Sequence, residues 1–187
     1  MPRTAVIAGV GPGLGASLAR RFAEEGLALG LLARTESHLE ALADELRSAH
    51  GADVAIAPTD LAEVDAIDRA FDVVHDDLGP VDVLVNHASG GAWEGVRDVV
   101  PEAFANALRV GPLGGLRCAQ HAVEDMLAGD GGTVIFTGAT SAVRGRGGAA
   151  AFSAAKFAGR GLAESMAREL GPDGIHVAHV VIDGQIL

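Results

Sequence analysis

Short, near-continuous apolar runs alternate with longer amphipathic stretches along almost the whole chain. The runs cover residues 5–8, 27–33, 54–57, 81–85, 133–137 and 176–182; the stretches between them cover 14–25, 37–50, 61–77, 101–127 and 149–170. A run that is apolar at every position suits a strand buried on both faces of a parallel sheet, and parallel strands need long crossovers to connect them. The alternation therefore predicts an α/β fold, a doubly wound parallel sheet of six strands with helices on both faces. Pro101 suits the first turn of a helix, and Gly171-Pro172 reads as a stop signal. No repeat or low-complexity linker divides the 187 residues, so one domain over residues 1–187 is expected.

Composition narrows the function classes. The formal net charge is -11, and an acidic chain repels phosphate backbones and anionic headgroups, which argues against nucleic acid and membrane surfaces as partners. Cys118 is the single cysteine, so an internal disulfide is excluded and a reducing compartment fits. The N-terminal "MPRTAVIAGV" lacks the apolar core of a signal peptide, and no apolar run approaches the ~20 residues needed to cross a bilayer. A cytoplasmic location is the expectation. No His/Cys/Asp/Glu spacing suggests a metal site.

The first strand-like run leads into "GVGPGLGASLARRF", residues 9–22. Glycines there let the backbone turn tightly and approach a pyrophosphate, whose charge meets the N-terminus of the next helix. Two registers fit: Gly11, Gly13 and Ala16, or Gly9, Gly13 and Gly15. The second is favoured because Gly9 follows directly on the apolar run. The second run ends at Ala33-Arg34, with the first acid, Glu36, already inside the next helix. An acid at that strand end serves the ribose hydroxyls of NAD, whereas an arginine fork suits a 2′-phosphate, so NADP(H) is expected over NAD(H). Thr35 and Ser37 add hydroxyls whose other use is helix N-capping. The loop-like stretch 138–148 comes after a strand's carboxyl end and is a site candidate.

With these features in place, the chain resembles the short-chain dehydrogenase/reductase family over nearly its whole length. The resemblance rests on Gly9, Gly13 and Gly15, on Asp60-Leu61 after the third strand, and on "VNHAS", residues 85–89, which keeps Asn86 and Ala88 of the family's turn. It rests also on "AKF" around Lys156 and on "GPDGIHVAHVV". It implies a Rossmann-type fold, a homodimer or homotetramer, a small-molecule substrate, and an NADP(H) site built from Gly9, Gly11, Gly13, Leu14, Gly15, Arg34, Asp60, Leu61, Asn86, Ala88, Lys156, Asp183, Gly184 and Ile186. The family also continues beyond "VVIDGQIL", so a last strand and a substrate lobe are expected to be missing from residues 1–187.

The family works with an asparagine, a serine, a tyrosine and a lysine, and here only Lys156 matches. Phe152 stands at the tyrosine position, Ala139 at the serine and Gly111 at the asparagine, and the chain contains no tyrosine. Thr140 and Ser141 lie one and two residues beyond Ala139, so either hydroxyl can take over at the carbonyl after a small loop shift, or serve only local turns. His87 titrates near neutrality but sits in the cofactor-side turn, where a structural role is the stronger reading. His176 and His179 read as packing or edge residues. The resemblance, with these departures, implies an NADP(H)-dependent oxidoreductase acting on a small carbonyl or imine with an atypical proton donor; the alternative is a cofactor-binding pseudoenzyme or non-redox protein on the same fold.

Overall fold

The computed structural model describes residues 2–184. The elements alternate as the pattern requires: β1 (Thr4–Ala8), α1 (Leu14–Glu24), β2 (Ala28–Ala33), α2 (Glu36–His50), β3 (Val54–Pro58), α3 (Val64–Leu78), β4 (Val83–Asn86), α4 (Pro101–Leu108), α5 (Gly114–Ala128), β5 (Gly132–Ala139), α6 (Ala150–Leu170) and β6 (Ile175–Ile182). All strand pairs are parallel, in the order β3-β2-β1-β4-β5-β6. Every residue of β1 is buried, and helices cover both faces of the sheet. One core layer packs α1 and α2 against Ile7, Leu29 and Leu31; the other packs α3, α5 and α6 around Phe71, Leu84 and Met126. Full burial of a side chain such as Phe71 contributes about 2–3 kcal/mol, and two continuous layers of this kind hold the sheet in place. Among the described residues no helix is long and apolar enough to cross a membrane.

Four details depart from the sequence pattern. The stretch 101–127 is not one helix: α4 and α5 are joined by a wide π-helical turn at Arg109–Leu113, because Pro112 lacks an N–H and its ring crowds the carbonyl one turn back. Helix α3 begins at Val64 rather than at residue 61, since Asp60 Oδ1 accepts the Ala62 N–H at 3.0 Å and holds the intervening residues in a turn. Strand β5 extends through Gly138 and Ala139, which pair with Val181 and Ile182, so those two residues leave the presumed loop. Finally, β6 is not buried on both faces. It lies at the sheet edge, where Val180 and Val181 remain 48% and 43% exposed.

Candidate functional site

The chain leaves β1 toward β2 and β3 on one side and returns to β4, β5 and β6 on the other. Crossovers diverging in this way open a crevice at the carboxyl ends of β1 and β4, the usual ligand position of doubly wound sheets. A cleft of about 720 Å³ lies there, lined by the turn after β1, the end of β2, Asp60, Leu61, His87 and Ala88. Its geometry is set by backbone. Gly9 and Val10 both donate to Leu32 O at 2.9 and 3.0 Å, while His87 and Ala88 both donate to Ala8 O at 2.9 Å. Gly9 has φ +106°, and a Cβ there would stand 2.5 Å from Ala88 N, so only glycine allows this close approach. A Cβ on Gly15 would meet Val10 Cα at 3.0 Å, whereas Cβ atoms on Gly11 or Gly13 would point into open space. Helix α1 begins at Leu14 with no side-chain cap and no acid in its first turn. Its free N–H groups and the bare backbone of Gly11 and Gly13 fit a pyrophosphate.

At the outer end of this cleft stand Arg34, Thr35 and His38. Arg34 is exposed and forms no ion pair among the described residues, and Thr35 occupies the N-cap position of α2 without a capping bond from its side chain. His38 Nε2 is buried with no hydrogen-bond partner among the described residues. An orphaned ring nitrogen beside an unpaired guanidinium fits a phosphate at this end. Sequence reasoning missed His38; its signal was the spacing of four residues from Arg34 across the turn into α2.

The other end is organised by β5 and α6. Lys156 Nζ donates to Thr137 O at 2.9 Å, and burial pulls its pKa below the usual lysine value. Thr137 Oγ1 donates to Asn86 O at 3.3 Å, so His87 Nδ1 is the donor in its 2.9 Å contact with the same hydroxyl. Burial first, then the charge of Lys156, lowers the His87 pKa. His87 is thereby a structural tie. Asn86 is buried, with Nδ2 donating to Gly115 O at 3.3 Å. It meets Gly111, Lys156 and His179 around a cavity of about 30 Å³ instead of lining the open cleft. His176 is exposed on the edge strand.

Phe152 lies one turn before Lys156, and the ammonium is 5.6 Å from its ring centroid. The ring also stacks on Trp93, with centroids 4.6 Å apart and planes at 28°. This pair lines a second cavity of about 890 Å³ with Ala139, Thr140, Ser141, Arg144 and Arg146. Thr140 gives its hydroxyl to Asp183 Oδ1, while Ser141 is buried and its hydroxyl has no bond to another described residue. Asp183 and Gly184 line this second cavity rather than the cleft after β1; Ile186 lies outside the described residues. Arg144 and Arg146 were not singled out in the sequence, where a lone loop arginine carries no signal of what it faces.

The sequence matches the short chain dehydrogenase family over residues 3–184. The chain belongs to that family. The 3-oxoacyl-(acyl-carrier-protein) reductase MabA of Mycobacterium tuberculosis is 31% identical to this short-chain dehydrogenase over 184 residues, which are 98% of this chain and 69% of the relative. A 3alpha-hydroxysteroid dehydrogenase of Mediterraneibacter gnavus is 26% identical over 94% of this chain and 70% of its own length. Among solved structures, the L-sorbose reductase of Gluconobacter frateurii, complexed with NADPH and L-sorbose, superposes with a TM-score of 0.91 at 28% identity, covering 95% of this chain and 68% of that one. An NAD+-bound xylitol dehydrogenase gives 0.91 at 27% identity over 97% and 70%. These relatives are oxidoreductases by name, and the two solved structures hold different nicotinamide cofactors.

Proposed function

We propose that this short-chain dehydrogenase is an NADP(H)-dependent oxidoreductase acting on a small carbonyl or imine, with a proton route that does not pass through position 152. The observation that carries it is the line of groups along the strand ends: an uncapped helix N-terminus, unpaired Arg34 beside the orphaned His38 nitrogen, and Lys156 anchored on Thr137 O. The nicotinamide, when bound, supplies or accepts the hydride. The turn at Gly11, Gly13 and Leu14 holds the pyrophosphate, Arg34 and His38 hold the 2′-phosphate, and Lys156 donates to the nicotinamide ribose. Ser141, whose hydroxyl has no partner among the described residues, donates to the substrate carbonyl; Thr140 gives its own hydroxyl to Asp183.

Phe152 offers Lys156 a π face and transfers no proton. A ketone must therefore take its proton from solvent in the second cavity, directly or relayed through the Ser141 hydroxyl, and losing a positioned acid slows such a step by about 10²–10⁴-fold. An iminium substrate needs hydride alone. The absence of polar side chains at Phe152, Ala139 and Gly111 is what favours the second reading, a cofactor-binding protein without redox turnover. NADPH oxidation assayed against ketones and cyclic imines, beside an NADPH binding titration, separates the two. Binding with turnover on either substrate class supports the oxidoreductase, binding without turnover supports the second reading, and no binding removes both. We also propose a homo-oligomer, and a cytoplasmic setting that suits the buried thiol of Cys118.

A further inference from the structure

The second cavity has a chemical character of its own. One wall is the stacked pair of Trp93 and Phe152, an apolar surface built from the two rings. The rim carries Arg144 and Arg146, both exposed, with the Arg146 guanidinium 5.5 Å from the Trp93 ring centroid. Arg20, Arg47, Arg109, Arg117 and Arg160 each sit on a carboxylate, but among the described residues neither Arg144 nor Arg146 does. Among the described residues the single acid lining the cavity is Asp183, which receives the Thr140 hydroxyl. Lys156 adds a positive charge beside the Phe152 ring. On a chain of net charge -11, this is a local region of opposite sign, and such a region attracts and orients anions that the rest of the surface repels.

The loop that carries the arginines is also held in place. Val143 and Arg144 donate their N–H groups to Thr140 O at 3.0 Å. The Arg146 N–H reaches the Oγ of buried Ser153 on α6 at 3.1 Å. The guanidinium groups thus hang from an anchored backbone, and a planar fork of this kind matches a carboxylate in two parallel hydrogen bonds.

We propose that this cavity selects a carbonyl compound bearing a carboxylate, with its apolar body against the Trp93–Phe152 wall and its carboxylate on Arg144 and Arg146. The proposal names the substrate class of the oxidoreductase reading above and rests on it. The chain supplies its own reporter, since Trp93 is the one tryptophan and there is no tyrosine. Quenching of its emission is titrated with benzoylformate and with the uncharged methyl benzoylformate, and calorimetry repeats both titrations. Benzoylformate is expected to bind at least about tenfold more tightly than the ester, the scale of one charge-assisted contact. In the R144Q/R146Q variant that advantage is expected to vanish, while NADPH affinity, measured separately, stays the same. Equal or tighter binding of the ester, or binding of neither compound, overturns the proposal. Failure of NADPH to bind overturns the cofactor reading instead and leaves the acid–ester comparison standing.

Discussion

At position 152 a phenyl ring lies between an indole and an ammonium, 4.6 Å from Trp93 and 5.6 Å from Lys156. The stack fills the space of a phenol while withholding its proton. Phe152→Tyr keeps the stacking face and adds a hydroxyl near Lys156, whose charge lowers a phenol pKa. Combined with Ala139→Ser, which adds a second donor at the carbonyl, it should raise ketone reduction at least about tenfold, with imine reduction little changed. A folded, NADPH-binding double variant with no gain on any ketone would show that the cavity is built for other chemistry. The opposite end of the site yields its own test. One charge-assisted phosphate contact is worth about 1.5–3 kcal/mol, so NADPH should bind at least about tenfold more tightly than NADH. Arg34→Ala should erase the preference and leave NADH affinity nearly unchanged, and His38→Ala should reduce it in the same direction. Equal affinities for both cofactors in the unaltered protein would contradict this.

Between elements, the closest constraints are polar. Helices α3 and α5 exchange three contacts in two opposite senses: Asp68 on α3 takes Arg117 Nε at 2.6 Å and His121 Nε2 at 2.9 Å, while His75 on α3 meets Asp125 on α5 at 2.8 Å. His121 also stacks on buried Phe71 at 4.7 Å, joining the clamp to the core. The hydrogen bonds from Arg117 and then His121 hold the Asp68 pKa down at about 2 against an ordinary 3.8. A carboxylate depressed on folding stabilises above its unfolded pKa and stops doing so as pH falls through the folded value. The clamp's contribution should therefore be complete above pH 3.8 and disappear toward pH 2. Asp68→Asn should flatten Tm against pH across that window, and an unchanged acid limb would refute the clamp. At the start of α5, a Cβ on Gly114 would stand 2.3 Å from Leu61 O. Gly114→Ala must push α5 from the turn after β3 and should lower stability by about 1–3 kcal/mol in urea unfolding.

For the molecule as a whole, assembly depends on the apolar faces that the protomer leaves bare. Part of the small apolar stripe along residues 119–127 is spent inside the protomer, where Ala119, Ala122 and Met126 join the core. Helix α6 keeps an exposed row of Phe157, Ala158, Gly161 and Ser165, with Phe157 45% exposed. A flat face of this kind suits a two-fold contact, the commonest closed symmetry. Light scattering at micromolar concentration should report a dimer or a tetramer, and Phe157→Glu should shift the mass to the protomer without altering NADPH affinity. A protomer mass for the unaltered chain would contradict the expectation.

The strand–helix alternation, the glycine turn at 9–15 and the positions of Arg34 and Lys156 were legible in the sequence. Each rests on neighbours within one or two turns, where burial period and backbone permissiveness act locally. The wide turn at Arg109–Leu113 was legible in principle, from Pro112, but the apolar pattern on both sides of it masks the break. Tertiary structure decided the rest, because the deciding contacts join residues far apart in the chain. Thr140 gives its hydroxyl to Asp183 across 43 positions, and Ser141 has no hydrogen-bond partner among the described residues. His87 is tied to Thr137 across 50. Trp93 reaches Phe152 only because β4 and β5 are adjacent, so that the loop after one strand closes on the helix after the other. Local periodicity specifies which face of an element is buried; which polar group finds which partner depends on the juxtaposition of strand ends, and no local pattern encodes that.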